Sequence, residues 1–213
     1  MDAELGLRER KKKQTRQVIA ETALRLFNER GFESVTVAQV AKAADVSEAT
    51  VFNYFPTKES LFFGQMQTFE ESLIEAVRGR RGGESVLAAF RRFIDEGSDH
   101  LARESTAVAI SMAGRIVGAS PSLRAREREI VADSTDALAL LIAEESGSSS
   151  GDIEAWVVAN ALMGAHRAVV AHVRSEVLAG RHGPALAATS RSQIERVFAI
   201  LERGLEHYAV KQG

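Results

Sequence analysis

Two short helices joined by a tight turn are predicted by Thr36-Val-Ala-Gln-Val-Ala-Lys-Ala-Ala-Asp-Val-Ser47, continued by Glu-Ala-Thr-Val-Phe-Asn-Tyr-Phe55. Thr36 and Ser47 are residue types that cap helix N-termini, and Pro56 ends the second helix. Two helices around a turn of about three or four residues form a helix-turn-helix, whose second helix lies in the major groove of DNA. This part of the sequence therefore predicts a DNA-binding element.

The rest of the chain also shows helical periodicity. Upstream, apolar residues recur at helical spacing from Gln14 to Arg30, and Gly31 ends that helix. Downstream, Thr57 caps a helix that reaches Arg78, and neither an internal repeat nor an alternating strand pattern occurs in the sequence. We predict an all-α fold of about nine helices, the remaining ones at 84–103, 106–118, 122–145, 152–178 and 185–210.

The composition limits the classes of protein to which the chain can belong. Its 213 residues are 45% hydrophobic and 26% charged, as in ordinary soluble globular proteins. Cysteine is absent, which excludes disulfides and cysteine nucleophiles, and the spacing of His166 and His172 suits a shared metal poorly, so we predict no metal site. Because the opening residues lack the apolar core of a secretory signal, we expect a cytoplasmic protein, with no cofactor indicated.

Charge is distributed unevenly along the chain. The net charge is −2, so the protein as a whole does not look like a nucleic-acid binder. Between Arg8 and Arg16, however, six basic residues accompany one acid, which predicts contact with a polyanion at one end of the chain. Lys11, Lys12 and Lys13 are expected to attract DNA or to enter its minor groove, although a solvated tail explains the same run.

A resemblance to a known family rests on Thr36–Ser47, on Ala49-Thr-Val-Phe-Asn-Tyr-Phe-Pro-Thr-Lys-Glu-Ser-Leu61, and on the preceding Ala23-Leu-Arg-Leu-Phe-Asn-Glu-Arg-Gly-Phe-Glu-Ser-Val-Thr36. These segments, roughly the first quarter of the chain, resemble TetR-type transcriptional regulators. The resemblance implies a helix-turn-helix DNA-binding domain over 8–60, followed by an effector-binding and dimerisation domain over 61–213.

The resemblance also implies which side chains meet DNA. Phe52 departs from a tyrosine that is frequent in the family, so a phosphate contact through a hydroxyl is lost there. Thr36 and Ser47 would be selected as helix caps even without DNA, and capping is compatible with a phosphate contact. Phosphate contacts are expected from Thr36, Ser47, Thr50, Tyr54 and Lys58, base contacts from Glu48, Ala49 and Asn53, and Gln39 belongs to the same DNA-binding set.

An effector is expected among the helices between Glu84 and Leu178. His166 and Arg167 interrupt an otherwise apolar helix, and a buried arginine requires an anionic partner, either on a ligand or on the protein. Plain core packing, an interface salt bridge or a surface position explains the same residues. The candidate lining residues are Phe90, Phe93, Ile94, Met112, Ile116, Trp156, Asn160, Met163 and Arg167.

The last two helices are expected to form a homodimer interface. The resemblance implies a four-helix interface there, and a seam of apolar residues at spacings of four and three supports it, although burial inside one subunit is the alternative. A two-fold dimer also suits a palindromic operator. The seam consists of Ile194, Phe198, Leu201, Leu205 and Tyr208.

The function implied by the resemblance is that of a homodimeric repressor, released from a palindromic operator by a small, largely apolar effector. Gly6–Arg16 and Phe52–Ser60 look similar to actinobacterial members, including regulators linked to mycofactocin, some of which respond to fatty acyl-CoA. An effector-independent regulator or an activator on the same fold is the alternative. We expect no enzyme, because we predict no G-x-S-x-G nucleophile elbow and the sequence carries no H-E-x-x-H, P-loop or G-x-G-x-x-G motif.

Overall fold

The computed structural model describes residues 2–147, 149 and 151–204, which fold into helices and their connecting loops. This part of the chain contains nine α-helices and one 3-10 helix and no strand, so the all-α prediction is confirmed. The helices are α1 Asp2–Arg30, α2 Val37–Ala43, α3 Glu48–Tyr54, α4 Lys58–Arg78, α5 Val86–Ser98, the 3-10 helix Asp99–Ala102, α6 Glu104–Ala119, α7 Pro121–Glu145, α8 Ile153–Leu178 and α9 Gly183–Arg203.

Three helices differ clearly from their predicted bounds, and one of them is α9, which ends at Arg203 and not at residue 210. α1 begins at Asp2 rather than Gln14, since the charged residues before Gln14 are good helix formers even without an apolar stripe. The helix predicted over 84–103 ends at Ser98 and continues as a 3-10 helix. Ser98 Oγ donates to the Asp95 carbonyl at 2.7 Å, a bond that competes with the backbone amide needed to extend the α-helix.

The chain divides into two compact units, and unit 1 comprises Met1–Phe69 and Arg115–Arg128. Its core consists of large apolar side chains from α1 to α4 that are removed from water, each burial contributing roughly 1.5–3 kcal/mol. On α1 the buried positions follow the helical period that the sequence shows. The buried set includes Ile19, Ala23, Phe27, Phe32, Val40, Val51, Phe55 and Leu61.

Unit 2 comprises Glu70–Gly114 and Glu129–Gly213. Within it α9 packs against α5, the 3-10 helix and α8. The rings of Phe90 and Phe198 lie 6.2 Å apart, and both side chains are completely buried. Within the part of the chain described here, no helix is both long and apolar enough to cross a bilayer.

Each of the two compact units consists of two segments that are separate in the sequence. Residues Arg115–Arg128, around the turn between α6 and α7, pack with unit 1, a contribution that the sequence did not indicate. The division into a DNA-binding domain over 8–60 and an effector domain over 61–213 concerns function, and it stays a prediction.

Candidate DNA-binding site

Both helices of the helix-turn-helix in unit 1 begin at the capping residues that the sequence predicts, Thr36 and Ser47. Thr36 Oγ1 accepts the Gln39 amide at 3.2 Å, and Gln39 Oε1 accepts the Thr36 amide at 2.9 Å, which makes a complete capping box for α2. Ser47 Oγ accepts the Thr50 amide at 3.1 Å and lies 2.8 Å from Thr50 Oγ1, which starts α3. Loss of such a cap costs a helix about 1 kcal/mol.

The turn between α2 and α3 depends on Asp45. Its φ of 54° lies in the left-handed region, and Asp45 is the only non-glycine residue there in the described part of the chain. The Val46 amide donates to the Ala41 carbonyl at 3.0 Å and closes the turn. Aspartate tolerates this conformation better than most side chains, so the tight break predicted at Asp45-Val46 has a local cause.

One face of α3 is anchored in the core and the opposite face is open to solvent. Val51 and Phe55 are buried and α3 packs against α2, so the orientation of α3 is set by packing. Thr50 and Tyr54 are half-buried at the flanks, and Phe52 is 47% exposed. Among the predicted DNA contacts, Thr36, Gln39, Ser47, Glu48, Ala49 and Asn53 are exposed.

Lys58, at the first position of α4, is already engaged within unit 1. Its Nζ lies 4.2 Å from the centroid of the Phe32 ring and donates to the Glu33 carbonyl at 3.5 Å. The ammonium group is therefore held at the loop between α1 and α2 by a cation–π contact and a hydrogen bond. For the predicted phosphate contact, the Lys58 ammonium group has to reach DNA from its place beside Phe32 and the Glu33 carbonyl.

The basic segment near the N-terminus forms part of α1. Lys11, Lys12 and Lys13 are exposed, and α1 is helical on both sides of them, so they lie on a helix and not on an extended arm. Arg16, one turn further along, places its guanidinium 5.4 Å from the Phe55 ring, next to the end of α3. A positively charged side chain of α1 therefore lies beside the end of the helix-turn-helix in unit 1.

Comparisons with known proteins agree with this geometry. The sequence profile described as bacterial regulatory proteins, tetR family, matches residues 19–64, which include α2, α3 and the start of α4. The HTH-type transcriptional regulator TcmR of Streptomyces glaucescens is 32% identical over 152 residues, covering 69% of this chain and 67% of TcmR. This protein belongs to the tetR family. It is accordingly a transcriptional regulator with a DNA-binding helix-turn-helix.

Further relatives of the family resemble the chain over most of its length. MftR of Mycobacterium tuberculosis, a regulator assigned to mycofactocin biosynthesis, is 25% identical over 73% of this chain and 77% of its own. The structure of NalD from Pseudomonas aeruginosa, a repressor of the MexAB-OprM efflux pump, matches with a TM-score of 0.57 at 21% identity, covering 88% of this chain and 96% of NalD. FadR of Bacillus subtilis, solved with stearoyl-CoA, matches with a TM-score of 0.52 at 22% identity over 86% of this chain and 97% of FadR. These two structures support the fold.

The residues predicted to line an effector site differ in how far they are exposed to solvent. Arg167 and Asn160 are exposed on α8, which fits the surface position that was one of the alternatives for Arg167, and their role in effector binding stays a prediction. Asn160 Nδ2 donates to the Trp156 carbonyl on its own helix at 2.8 Å. Of the others, Phe90, Ile94, Ile116 and Met163 are buried, Phe93 and Met112 are half-buried, and Trp156 is exposed.

The buried polar group of α8 is His166, paired with a residue that the sequence analysis missed. His166 Nε2 lies 3.5 Å from Glu70 Oε1, and the two residues are only 7% and 3% exposed. Within the described residues, Glu70 Oε2 is buried and has no hydrogen-bond partner. Glu70 lies among the many charged residues of an amphipathic helix, so no local pattern distinguishes it.

Two residues of the predicted dimer seam are buried inside the protomer. Ile194 and Phe198 are 1% and 0% exposed, so these two residues belong to the core of unit 2 and leave no surface for a partner. Leu201 is half-buried, and Leu205 and Tyr208 lie outside the described residues. Instead, α8 exposes a set of large apolar side chains: Ile153, Trp156, Val157, Val158, Val170 and Leu178.

A Ser/Gly loop carries one motif of hydrolases without its context. Gly147-Ser-Ser-Ser-Gly151 has the G-x-S-x-G spacing of a nucleophile elbow, which requires a strand before the serine and a helix after it. The expectation that the sequence lacks this motif is therefore wrong, but the loop joins the helices α7 and α8, whereas an elbow joins a strand to a helix.

Proposed function

We propose that the protein is a homodimeric repressor that binds a palindromic operator through α3 and leaves it when an effector binds. The observation that carries the proposal is the exposed, capped face of α3. Ser47 and Asn53 present a hydroxyl and an amide group there, and the half-buried Thr50 adds a hydroxyl at the flank, while Val51 and Phe55 are buried on the opposite side. Such groups suit hydrogen bonds to phosphates and base edges.

The homodimer is proposed to form through α8. Exposed apolar patches on a soluble protein mark interaction sites, and α8 presents Ile153, Val157 and Trp156 on solvent-facing positions. Exposed alanines at 161 and 168 allow a second helix to approach closely. A two-fold dimer places two copies of α3 on two half-sites about one helical turn apart, which requires a palindromic operator.

Substitutions on α3 test the operator proposal. An operator is first selected from a pool of random duplex DNA, and binding is measured by fluorescence anisotropy at fixed salt. We expect Thr50→Ala and Asn53→Ala each to weaken operator binding about tenfold, since one base or phosphate contact contributes roughly 1–3 kcal/mol. Binding to unrelated DNA should change little for Asn53→Ala.

The matched control is Thr189→Ala, which removes a half-buried threonine, like Thr50, from α9 in unit 2. It should leave both the fold and the affinity unchanged. Operator binding that survives both α3 substitutions would contradict the placement of the recognition helix, and failure to select any operator would contradict the function itself.

The effector is proposed to be largely apolar. The buried and half-buried candidates Phe90, Phe93, Ile94, Met112 and Met163 offer an apolar lining within unit 2. The fold neighbour FadR was solved with stearoyl-CoA, which makes a long acyl chain a sensible first probe. An effector-independent regulator or an activator is the alternative, and it predicts no response to any such ligand.

Stearoyl-CoA is therefore the probe for the effector proposal. We expect it to raise the melting temperature and to release the operator, because a ligand at about 100 times its Kd adds about 2.7 kcal/mol to the stability of the native state. Coenzyme A alone and stearate separate the two parts of the molecule. If none of the three compounds changes melting or operator binding, the acyl-CoA class is excluded for this site.

A further inference from the structure

The turn between α6 and α7 is hydrogen-bonded to the loop between α1 and α2. Ser120 Oγ donates to Glu33 Oε1 at 2.6 Å, and Ser122 Oγ donates to the same oxygen at 3.3 Å. All three residues lie in unit 1. Hydrogen bonds from hydroxyls to carboxylates are shorter and about twice as strong as those between neutral groups.

Ser120 is fixed from its own side of this contact. Its side chain is 1% exposed, and its Oγ accepts the Leu123 amide at 3.2 Å, so Ser120 also caps the start of α7. A hydroxyl has one proton to donate, and here that proton is directed to Glu33. The serine therefore holds Glu33 from a rigid position, with Pro121 limiting the backbone next to it.

Glu33 is fixed from the other side by the helix-turn-helix unit itself. Its backbone carbonyl accepts Lys58 Nζ, and the same ammonium lies over the Phe32 ring. Phe32 packs against Phe27 of α1 at 4.9 Å between ring centroids. Thr36, the cap of α2, follows Glu33 in the same loop. Residue 33 thus joins α1, the start of α4 and the turn before α7.

We propose that Glu33 is a positioning residue for operator binding. Through its hydrogen bond with Ser120, it couples the turn between α6 and α7 to the loop that precedes α2. Neither Glu33 nor Ser120 needs to touch DNA for this role. Both helices of that turn continue into unit 2, where the effector is proposed to bind. The inference rests on the proposed function, because it concerns the affinity for the operator.

The physical basis of the proposal is the order of the loop from Gly31 to Thr36. With the Ser120–Glu33 bond intact, the loop holds α2 and the start of α4 in one arrangement before DNA arrives. Without the bond the loop has more freedom, and operator binding must then restrict it at a cost in affinity. A movement of the turn between α6 and α7 that breaks the bond therefore weakens operator binding, which gives the effector a route to α2.

The test is a double-mutant cycle with Ser120→Ala, Glu33→Ala and both together, measured on the selected operator and on unrelated DNA of the same length. We expect each single variant to weaken operator binding at least fivefold, with little change on unrelated DNA. The double variant should be no more than about twofold weaker than either single variant, because both remove the same bond.

Two controls test whether the loss of a helix cap alone, or of a negative charge alone, explains the weaker binding. Ser85→Ala removes an equivalent cap, the one that holds the Ala88 amide at the start of α5, without any contact to Glu33. Glu29→Gln removes a negative charge from an exposed position of α1, close in sequence to Glu33. Both controls should keep operator affinity within twofold of the unchanged protein.

Hydrogen exchange gives a readout that does not use DNA. Ser120→Ala should speed amide exchange in α2, Val37–Ala43, whereas Ser85→Ala should not. Unchanged exchange in α2, or operator affinities that add independently, would overturn the role of Glu33. If the unchanged protein binds its operator and Ser120→Ala binds equally well, only this inference fails; if the unchanged protein selects no operator, the proposed function fails and takes the inference with it.

Discussion

Val157→Glu is expected to convert the proposed dimer into a monomer and to lower operator affinity about 100-fold or more. Val157 is 62% exposed on α8, among the other exposed apolar side chains of that helix. A two-fold interface contains each substitution twice. Both new carboxylates would therefore be removed from water in an interface that is otherwise apolar. A 100-fold effect corresponds to about 2.7 kcal/mol, which one buried charge readily exceeds. Operator binding falls with it, because a monomer holds only one half-site.

Val108→Glu is the matched control for this experiment. Val108 is 64% exposed, lies on α6, and belongs to the same unit as Val157, but it is not part of the α8 surface. The measurement is sedimentation equilibrium of both variants, followed by anisotropy on the operator. A Val157→Glu protein that stays dimeric would place the interface elsewhere, and a Val108→Glu protein that dissociates would place α6 within it.

The sequence was sufficient for the helix-turn-helix because its signals are local. Ser47 and Thr36 cap the helices that they were predicted to cap, and Pro56 follows α3 directly. The start of α4 follows the same rule: the Thr57 amide donates to Ser60 Oγ at 3.2 Å and the Ser60 amide donates to Thr57 Oγ1 at 3.1 Å. A serine here fills the role of the glutamate of a capping box, so the reciprocal bond does not require the usual residue.

What the sequence could not provide was which face of a helix meets which neighbour. The heptad-like seam of α9 predicted apolar burial correctly, but it could not distinguish a subunit interface from the core that Ile194 and Phe198 in fact join. On α8, His166 and Arg167 are adjacent in sequence and point to different environments, one buried and one exposed. The contact between Glu33 and Ser120 joins two loops far apart in sequence, where no periodicity reports on pairing.

His166→Leu is expected to destabilise the protein by about 3 kcal/mol or more. It leaves the Glu70 carboxylate buried at 3% exposure without the imidazole that lies 3.5 Å away. Removing one partner of a buried polar pair is costly because the remaining carboxyl group stays removed from water and loses its compensating contact. The measurement is the free energy of unfolding from urea denaturation at a fixed pH, with His100→Leu, at an exposed histidine, as the control.

The informative comparison is with the double variant Glu70→Leu/His166→Leu. Two apolar side chains of similar volume fill the same space without a buried charge, and such replacements of paired polar groups are often neutral or stabilising. We therefore expect the double variant to recover most of the stability that His166→Leu loses. Recovery would mean that the pair is not kept for stability, and the response of the double variant to stearoyl-CoA would then test whether the pair takes part in effector recognition. A double variant as unstable as His166→Leu alone would instead make the pair a structural element of unit 2.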